Sequence, residues 1–199
     1  TTERKDGGQP SWAPFDGFPD VYIAMGQTAE NVAELRGVTR QAQDEFGARS
    51  QNRAEAAQAS GFFAREITPI TLPDGTVVDT DDSPRAGVTY EAVAGLDPVF
   101  RPEGTVTAGN CCPLNDGAAA LVVMSDTRAA ELGLTPLARI VSTGLSALSP
   151  EIMGLGPVEA SRQALARAGM SIDDVDLVEI NEAFAAVPLL LMKEMGWTE

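Results

Sequence analysis

Short apolar runs alternate with helix-forming stretches from about residue 105 onward, and this alternation constrains the fold more than any other feature of the chain. The runs predict four buried strands, at residues 105–108, 118–124, 138–143 and 175–180. Between and after them the pattern predicts helices at residues 127–132 and 157–168 and from residue 182. Strands that alternate with helices are typical of an α/β fold, in which helices cover the faces of a sheet.

The first hundred residues have a different pattern, which predicts helices and one hairpin. Residues 1–20 are rich in Gly, Pro and Asp and indicate a loop. Thr28 and Thr39 are candidate N-caps of two successive helices. Apolar runs on either side of a Pro-Asp-Gly turn predict a hairpin within residues 67–78. This half of the chain is therefore expected to form a separate, largely helical layer or insertion.

The composition excludes several classes of function. A net charge of −15 argues against a nucleic-acid partner, because phosphate binding needs clustered Lys and Arg. No apolar run reaches the roughly 18 residues of a membrane-spanning helix, and no signal peptide is visible. The only cysteines, Cys111 and Cys112, are adjacent and poorly placed to form a disulfide with each other, which indicates a reducing, cytoplasmic setting. The chain has no histidine, so we expect no metal site.

Asn181 stands where one apolar run ends and the next helix is predicted to begin. Side chains at the carboxyl end of a strand in an open α/β sheet face the crevice where ligands bind. An amide at this place can hold a water molecule or an oxyanion without ionising. It can equally be the N-cap that satisfies the first amides of the helix. From the local sequence alone, both interpretations stay open.

Other candidate site residues also allow two interpretations. Cys111 and Cys112 follow a Gly-Asn pair, but a nucleophilic thiol needs a base or an electropositive setting, and no histidine supplies the base. A buried, small-residue role is therefore favoured over catalysis for both cysteines. Met153 can line an apolar pocket or simply pack against its neighbours. Arg85 can bind a phosphate or remain solvated.

Several longer motifs, in the same order along the chain, resemble those of the thiolase family. They are residues 25–33 (MGQTAENVA), 50–54 (SQNRA), 104–110 (GTVTAGN), 114–120 (LNDGAAA) and 181–185 (NEAFA). The likeness covers nearly the whole chain from about Tyr22. It implies a thiolase-like α/β fold with five layers, αβαβα, which is incomplete in this chain and carries a largely helical lid or loop insertion.

The resemblance also implies a domain organisation and an activity. Residues 1–104 correspond to the loop (lid) domain, residues 105–136 to the end of the N-terminal half, and residues 137–199 to the first part of the C-terminal half. The implied reaction is acyl transfer between coenzyme A and acyl-CoA, by thiolytic cleavage of a 3-ketoacyl-CoA such as acetoacetyl-CoA or by the reverse Claisen condensation. Coenzyme A and acyl-CoA are then substrates, no cofactor is bound permanently, and the family's oligomers are dimers or tetramers.

The family's functional residues carry over onto matching positions. By this resemblance Asn181 holds a water molecule that, with a histidine, forms an oxyanion hole for the thioester oxygen. Arg85 corresponds to a residue near the adenine and phosphates, Phe100 to one near the pantetheine, and Met25 and Met153 to residues around the acyl group. The full set of positions that resembles the family's coenzyme A and acyl site is Met25, Arg85, Phe100, Ala108, Gly109, Cys112, Met153, Ala183 and Phe184.

Some family elements have no counterpart in this sequence. These are the nucleophilic cysteine, the histidine that activates it and a second, proton-shuttling cysteine. The chain thus resembles the middle half of a thiolase about twice as long, and we expect the missing elements upstream, downstream or in a complementary chain. Cys112 replaces a serine whose hydroxyl faces the pantetheine, and a thiol is a weaker donor. The alternative function is a non-catalytic, thiolase-like subunit that binds acyl-CoA or acts as a scaffold.

Overall fold

The computed structural model describes residues 21–198, and helices dominate this part of the chain. Its α-helices are α1 (Met25–Arg36), α2 (Arg40–Ala59), α3 (Tyr90–Ala94), α4 (Asp126–Glu131), α5 (Gly156–Ala168) and α6 (Ala186–Met195). Short 3₁₀ helices occur at Phe63–Arg65, Pro150–Leu155 and Ile172–Asp174. The loop predicted for residues 1–20 lies outside the described residues.

The predicted hairpin is confirmed, although its strands are short. Strand β1 (Ile70–Thr71) pairs antiparallel with β2 (Val77–Val78). Between them the chain reverses at Gly75, whose φ of 87° suits glycine better than any other residue. The Asp74 carboxylate accepts a hydrogen bond from the Thr76 amide at 2.9 Å, which closes the turn.

Of the two N-caps predicted for the first two helices, one is confirmed and the other is wrong. Thr39 caps α2 as predicted, because its hydroxyl accepts a hydrogen bond from the Ala42 amide at 3.1 Å. The prediction that Thr28 caps the first helix is wrong, since α1 begins three residues earlier at Met25. Inside α1 the Thr28 hydroxyl donates to the Met25 carbonyl instead, at 2.6 Å. A threonine hydroxyl can satisfy itself within a helix in this way, so its presence alone does not mark a helix start.

The hydrophobic core lies where α1, α5 and α6 meet the 3₁₀ helix Pro150–Leu155. Its buried side chains are Val32, Val158, Leu190 and Leu191. Partly buried side chains pack around them, and Ile180 is one of these. Because Ile180 immediately precedes Asn181, the core fixes one end of the segment that carries the candidate catalytic amide.

Three of the predicted strands are wrong for this chain. Residues 118–124, 138–143 and 175–180 have irregular backbone, and most of their apolar side chains are exposed, with Leu121 at 89% and Leu177 at 83%. A strand needs a neighbour to take its amide and carbonyl groups, and none lies beside these segments among residues 21–198. The alternating pattern thus marks segments able to form strands, while pairing depends on partners that the sequence pattern does not reveal.

The first predicted strand, residues 105–108, is also irregular, but Val106 and Thr107 within it are fully buried. Side chains replace a neighbouring strand here. The Glu30 carboxylate accepts hydrogen bonds from the amides of Thr105 and Val106 at 2.8 and 2.9 Å. The backbone is therefore satisfied by a buried acid on α1 rather than by a sheet.

The last helix begins later than predicted. Residue 182 was the expected start, but α6 begins at Ala186, with Ala185 at its N-cap position. The backbone between these two residues bonds to residues 110–112 instead. The Ala183 carbonyl accepts a hydrogen bond from the Cys112 amide, and the Ala185 amide donates one to the Asn110 carbonyl. A helix from residue 182 would pair the Val187 amide with the Ala183 carbonyl, but the Val187 amide bonds to the Phe184 carbonyl instead. The interpretation of Asn181 as an N-cap is therefore wrong.

Candidate functional site

The candidate site is built where residues 110–112 cross residues 183–185. The Cys112 amide donates to the Ala183 carbonyl at 3.0 Å, and the Ala185 amide donates to the Asn110 carbonyl at 2.9 Å. Cys111 lies opposite Phe184 between these two bonds, as in an antiparallel sheet. This short bridge brings two segments that are about 70 residues apart in sequence into one fixed arrangement.

Asn181 is held from both sides. Ile180, just before it, packs against the core, and Ala183, two residues after it, is bound to Cys112. The Asn181 side chain itself is exposed and lines a cleft of about 450 Å³. An amide fixed at its backbone and open to solvent can bind a water molecule or a carbonyl oxygen without competing internal partners.

Four of the residues predicted from sequence share this cleft: Gly109, Cys112, Asn181 and Ala183. The opposite wall is the buried face of α2, including Phe46 and Gly47. A Cβ atom on Gly47 would lie 2.3 Å from the Gly109 carbonyl oxygen. The helix and the loop can approach each other this closely only because residue 47 is glycine.

Phe100 and Phe184 extend the site on the other side of the bridge. Their rings pack edge to face with centroids 6.3 Å apart. The Phe100 ring also fills the space beside Gly26, where a Cβ atom would lie 2.1 Å from it. Gln27 donates to the Phe100 carbonyl at 2.6 Å, so the start of α1 holds this aromatic residue through both side chain and backbone.

The other predicted site residues lie further from the cleft. Met25 is the first residue of α1 and is 49% exposed. Ala108 is exposed on the loop just before Gly109. Arg85 is exposed, and its amide donates to the side chain of Gln51, which does line the cleft. Met153 is 46% exposed on the 3₁₀ helix Pro150–Leu155.

Sequence reasoning missed three buried polar residues that shape the site: Glu30, Asp44 and Asn110. Glu30 holds the amides of residues 105 and 106, as described above. The Asn110 side chain donates to the Asp44 carboxylate at 2.8 Å, which ties the loop to α2. One feature of the sequence could have pointed to Asp44. Arg40 lies four residues before it on a predicted helix, and an arginine at that spacing can neutralise a carboxylate that faces the protein interior.

The two cysteines are free thiols in different settings. The prediction of a buried role is wrong for Cys112, which is exposed, whereas Cys111 is half-buried. Burial, and to a smaller extent the neighbouring Cys112, raises the pKa of the Cys111 thiol above its ordinary value. A thiol with a raised pKa is a poor nucleophile at neutral pH, which agrees with the expectation that Cys111 does not attack substrate.

Residues 21–198 show neither a metal-binding cluster nor a membrane-spanning helix. No three His, Cys, Asp or Glu side chains converge there as a metal site would require. No helix in the same range combines the length and apolarity needed to cross a bilayer. The chemistry that the described site offers is hydrogen bonding by Asn181, by the other polar side chains of the cleft, including Ser50, Gln51 and Glu182, and by backbone groups.

The chain is similar in sequence to known proteins over nearly its whole length. Residues 15–127 match the sequence model of the thiolase N-terminal domain, and residues 134–199 match that of the thiolase C-terminal domain. Acetyl-CoA acetyltransferases from Cupriavidus necator and Paracoccus denitrificans are each 53% identical to the chain over 188 and 186 residues, 92% of the chain in both cases. These matches cover 48% and 47% of the two relatives, so the chain spans about half the length of the curated relatives it matches.

The fold is similar to a solved structure as well. The crystal structure of the Bacillus anthracis acetyl-CoA acetyltransferase matches with a TM-score of 0.83 and 44% identity, over 96% of this chain and 51% of that one. The predicted fold class is thereby confirmed: the chain carries an incomplete thiolase fold, even though its strand-forming segments are unpaired among the described residues. The chain belongs to the thiolase family.

Proposed function

We propose that this chain forms part of an acetyl-CoA C-acyltransferase, an enzyme that moves an acyl group between coenzyme A and an acyl-CoA. In the degradative direction it would cleave acetoacetyl-CoA with coenzyme A to give two molecules of acetyl-CoA. The observation that carries the proposal is the antiparallel bridge that places Asn181, Gly109, Cys112 and Ala183 around one cleft. The names of the relatives support the choice of an acetyl-CoA substrate.

In this proposal Asn181 acts on the thioester oxygen, directly or through a bound water molecule. Attack on a thioester places negative charge on that oxygen, and a fixed donor there lowers the barrier by about 3–4 kcal/mol. Asn181 suits the role because its backbone is fixed by Ile180 and Ala183 while its amide faces the cleft. An amide also keeps the same charge across the working pH range.

The remaining predicted residues would hold the rest of the substrate. Gly109, Ala108 and Cys112 would face the pantetheine, since two of the three line the cleft with Asn181. Phe100, Ala183 and Phe184 would form the apolar floor near the thioester. Arg85 would meet the adenine and phosphates, and Met25 and Met153 would border the acyl group. These assignments, like the boundaries at residues 104 and 136, remain proposals.

The nucleophile and the general base must come from outside these 199 residues. The sequence contains no histidine to activate either cysteine, and burial raises the pKa of the Cys111 thiol. We therefore propose that the groups come from further residues of the same polypeptide or from a complementary chain, within a homodimer or homotetramer. A cytoplasmic location remains a prediction from the sequence.

A chimeric enzyme tests this function directly. The matching stretch of the Cupriavidus necator relative is replaced by this chain, and thiolysis of acetoacetyl-CoA is measured by the consumption of coenzyme A. The proposal predicts turnover within about tenfold of the parent, because the parent supplies the missing groups and this chain supplies the oxyanion donor. A chimera with the parent's oligomeric state and thermal stability but no turnover would refute it.

The isolated 199-residue chain is the negative control. It should show no thiolysis, since it holds neither the base nor the nucleophile, and measurable turnover by the pure chain would contradict the division of roles. The alternative, a non-catalytic subunit that binds acyl-CoA, predicts acyl-CoA binding together with an inactive but well-folded chimera. Intact mass of the protein isolated from its source distinguishes a longer polypeptide from a separate subunit.

A further inference from the structure

A buried carboxylate lies behind the candidate site. The side chain of Asp44 on α2 is 1% exposed, and a charge at such a place is costly unless it is paired and hydrogen-bonded. Its Oδ2 accepts from the Nε of Arg40 at 2.6 Å, and its Oδ1 accepts from the Nδ2 of Asn110 at 2.8 Å. One oxygen therefore faces a counter-ion on the same helix, and the other faces the loop that forms the site.

Asn110 uses its whole side chain to shape that loop. Its Oδ1 accepts from the Thr107 amide at 2.9 Å, and its Nδ2 also donates to the Thr105 carbonyl at 2.9 Å. With the bond to Asp44, both donors and the acceptor of the amide group have partners. Fixed in this way, the Asn110 carbonyl accepts from the Ala185 amide at 2.9 Å. The same residue thus anchors the loop to α2 and binds the segment that follows Asn181.

We propose that Asp44 and Asn110 are positioning residues for Asn181, an inference that rests on the proposed function for its catalytic meaning. The Asp44 carboxylate fixes the Asn110 side chain, and the Asn110 carbonyl fixes Ala185, four residues after Asn181. Neither side chain needs to touch substrate. Misplacing a catalytic donor by about 1 Å can cost on the order of a hundredfold in rate, so a rigid support of this kind affects turnover.

The isosteric variant Asp44→Asn tests the connection in the purified protein. It replaces one carboxylate oxygen by an NH₂ group, which must then face a donor on either Arg40 or Asn110. Hydrogen exchange at single-residue resolution should show the amides of Ala185 and Cys112 exchanging about tenfold faster relative to the amides of α5, which lie outside this network. An unchanged ratio would overturn the proposal.

Ile152→Ala provides a destabilised control. Ile152 lies on the 3₁₀ helix Pro150–Leu155, outside α5, and packs against the core, so its truncation destabilises the fold without touching Asp44 or Asn110. We expect this variant to lower the melting temperature while leaving the exchange of Ala185 relative to α5 unchanged. If Ile152→Ala changes that ratio as much as Asp44→Asn does, the effect is general destabilisation and the positioning role is refuted.

A swap of the two groups tests the pair as a unit. Asn110→Asp removes the donor that faces Asp44, so it should accelerate exchange of the Ala185 amide as Asp44→Asn does. Combining Asn110→Asp with Asp44→Asn restores a donor opposite an acceptor, although the bond to the Thr105 carbonyl is lost. The double variant should therefore exchange more slowly than the sum of the two single effects predicts. Strict additivity would contradict the direct coupling.

A milder variant covers the case in which Asp44→Asn does not fold. Arg40 is only partly buried, and Arg40→Lys keeps the positive charge beside Asp44 while losing the planar fork. It should accelerate exchange of the Ala185 amide by a smaller factor than Asp44→Asn. Exchange identical to that of the original protein would count against the connection.

Kinetics of the chimeric enzyme separate the positioning role from the proposed function. Asp44→Asn should lower kcat about tenfold or more while the KM for coenzyme A stays within about twofold, because binding surfaces are untouched and only the donor is displaced. An inactive parent chimera would refute the proposed function and leave the exchange result standing. An active chimera in which Asp44→Asn changes neither kcat nor exchange would refute the positioning role alone.

Discussion

The Cys112 amide donates a hydrogen bond to the carbonyl of Ala183 at 3.0 Å, and this contact is the point at which the two halves of the candidate site are joined. It forms one of the two bonds that flank the Cys111–Phe184 pair. Because the bond uses only backbone atoms, it does not depend on which side chain stands at position 112. The side chain at this position can therefore vary while the cleft keeps its shape.

Gly26→Ala is expected to disturb the aromatic side of the site. The new methyl group would lie 2.1–2.2 Å from atoms of the Phe100 ring, so the ring must move and lose its edge contact with Phe184. Overpacking of this kind costs about 1–3 kcal/mol, and urea unfolding measures it. Gly117→Ala is the matched control, because a Cβ atom there would have no atom within 4 Å. Equal stability of the two variants would argue against a fixed Phe100.

The two thiols are expected to react at different rates. Cys112 is exposed, whereas burial raises the pKa of the half-buried Cys111 thiol and reduces its thiolate fraction. Iodoacetamide at pH 8 should therefore alkylate Cys112 first, which mass mapping of the peptide can resolve with Cys112→Ser as the control. Coenzyme A should slow the reaction at Cys112 if this residue faces the pantetheine. Faster labelling of Cys111 would show that the loop has a different arrangement.

Acid should remove the stabilisation that Asp174 provides. Its carboxylate accepts hydrogen bonds from the Ser171 amide and hydroxyl at 2.8 and 2.9 Å, and these bonds lower the pKa of the carboxyl below 3.8. A group whose pKa is lower in the folded state stabilises the fold above its unfolded pKa. That contribution is lost as the pH falls through the folded pKa.

Asp174→Asn should accordingly lower the free energy of unfolding at pH 7. The difference from the original protein should shrink as the pH falls below about 3.8, the ordinary pKa of an aspartate. Asp173→Asn is a matched control, since it removes a neighbouring carboxylate and leaves the bonds to Ser171 in place. A difference that grows toward low pH would have the wrong sign for this account.

Local sequence signals predicted the parts of the fold that are stabilised locally. Thr39 caps α2 through a bond to an amide three residues away. The hairpin closes through a bond between Asp74 and Thr76. The helix predicted for residues 157–168 begins at Gly156, and Pro157 lies in its first turn, where a fixed φ and a missing amide hydrogen are favourable. In each case both partners lie within a few residues, so the sequence pattern contains the whole interaction.

Apart from the Thr28 cap, whose hydroxyl bonds within its own helix, the wrong predictions concern backbone whose partners lie far away. Leu121 and Leu177 lie in apolar segments able to form strands, but no neighbouring strand occurs among residues 21–198. Asn181 resembled an N-cap because the sequence does not reveal that Ala183 and Ala185 bind residues 110–112. Pairing is a property of the folded chain, and periodicity reports only the capacity for it.

The same distinction between local and long-range contacts applies to the candidate site. The motifs identified Gly109, Cys112, Asn181 and Ala183, and these residues do line one cleft. The support behind them was missed because Asp44 and Asn110 are 66 residues apart and meet only in the folded chain. The Arg40–Asp44 spacing indicates that the carboxylate can be paired on its own helix, but nothing in a single sequence indicates that Asn110 meets it.

The turnover of Asn181→Ala in the chimeric enzyme is the most direct test of the central claim that this amide stabilises the reacting thioester oxygen. Loss of such a donor should lower kcat for acetoacetyl-CoA thiolysis about 10²–10³-fold, with the KM for coenzyme A nearly unchanged. Asn115→Ala removes an exposed amide outside the cleft and should leave both constants as they are. A kcat for Asn181→Ala equal to that of the unsubstituted chimera would contradict the account.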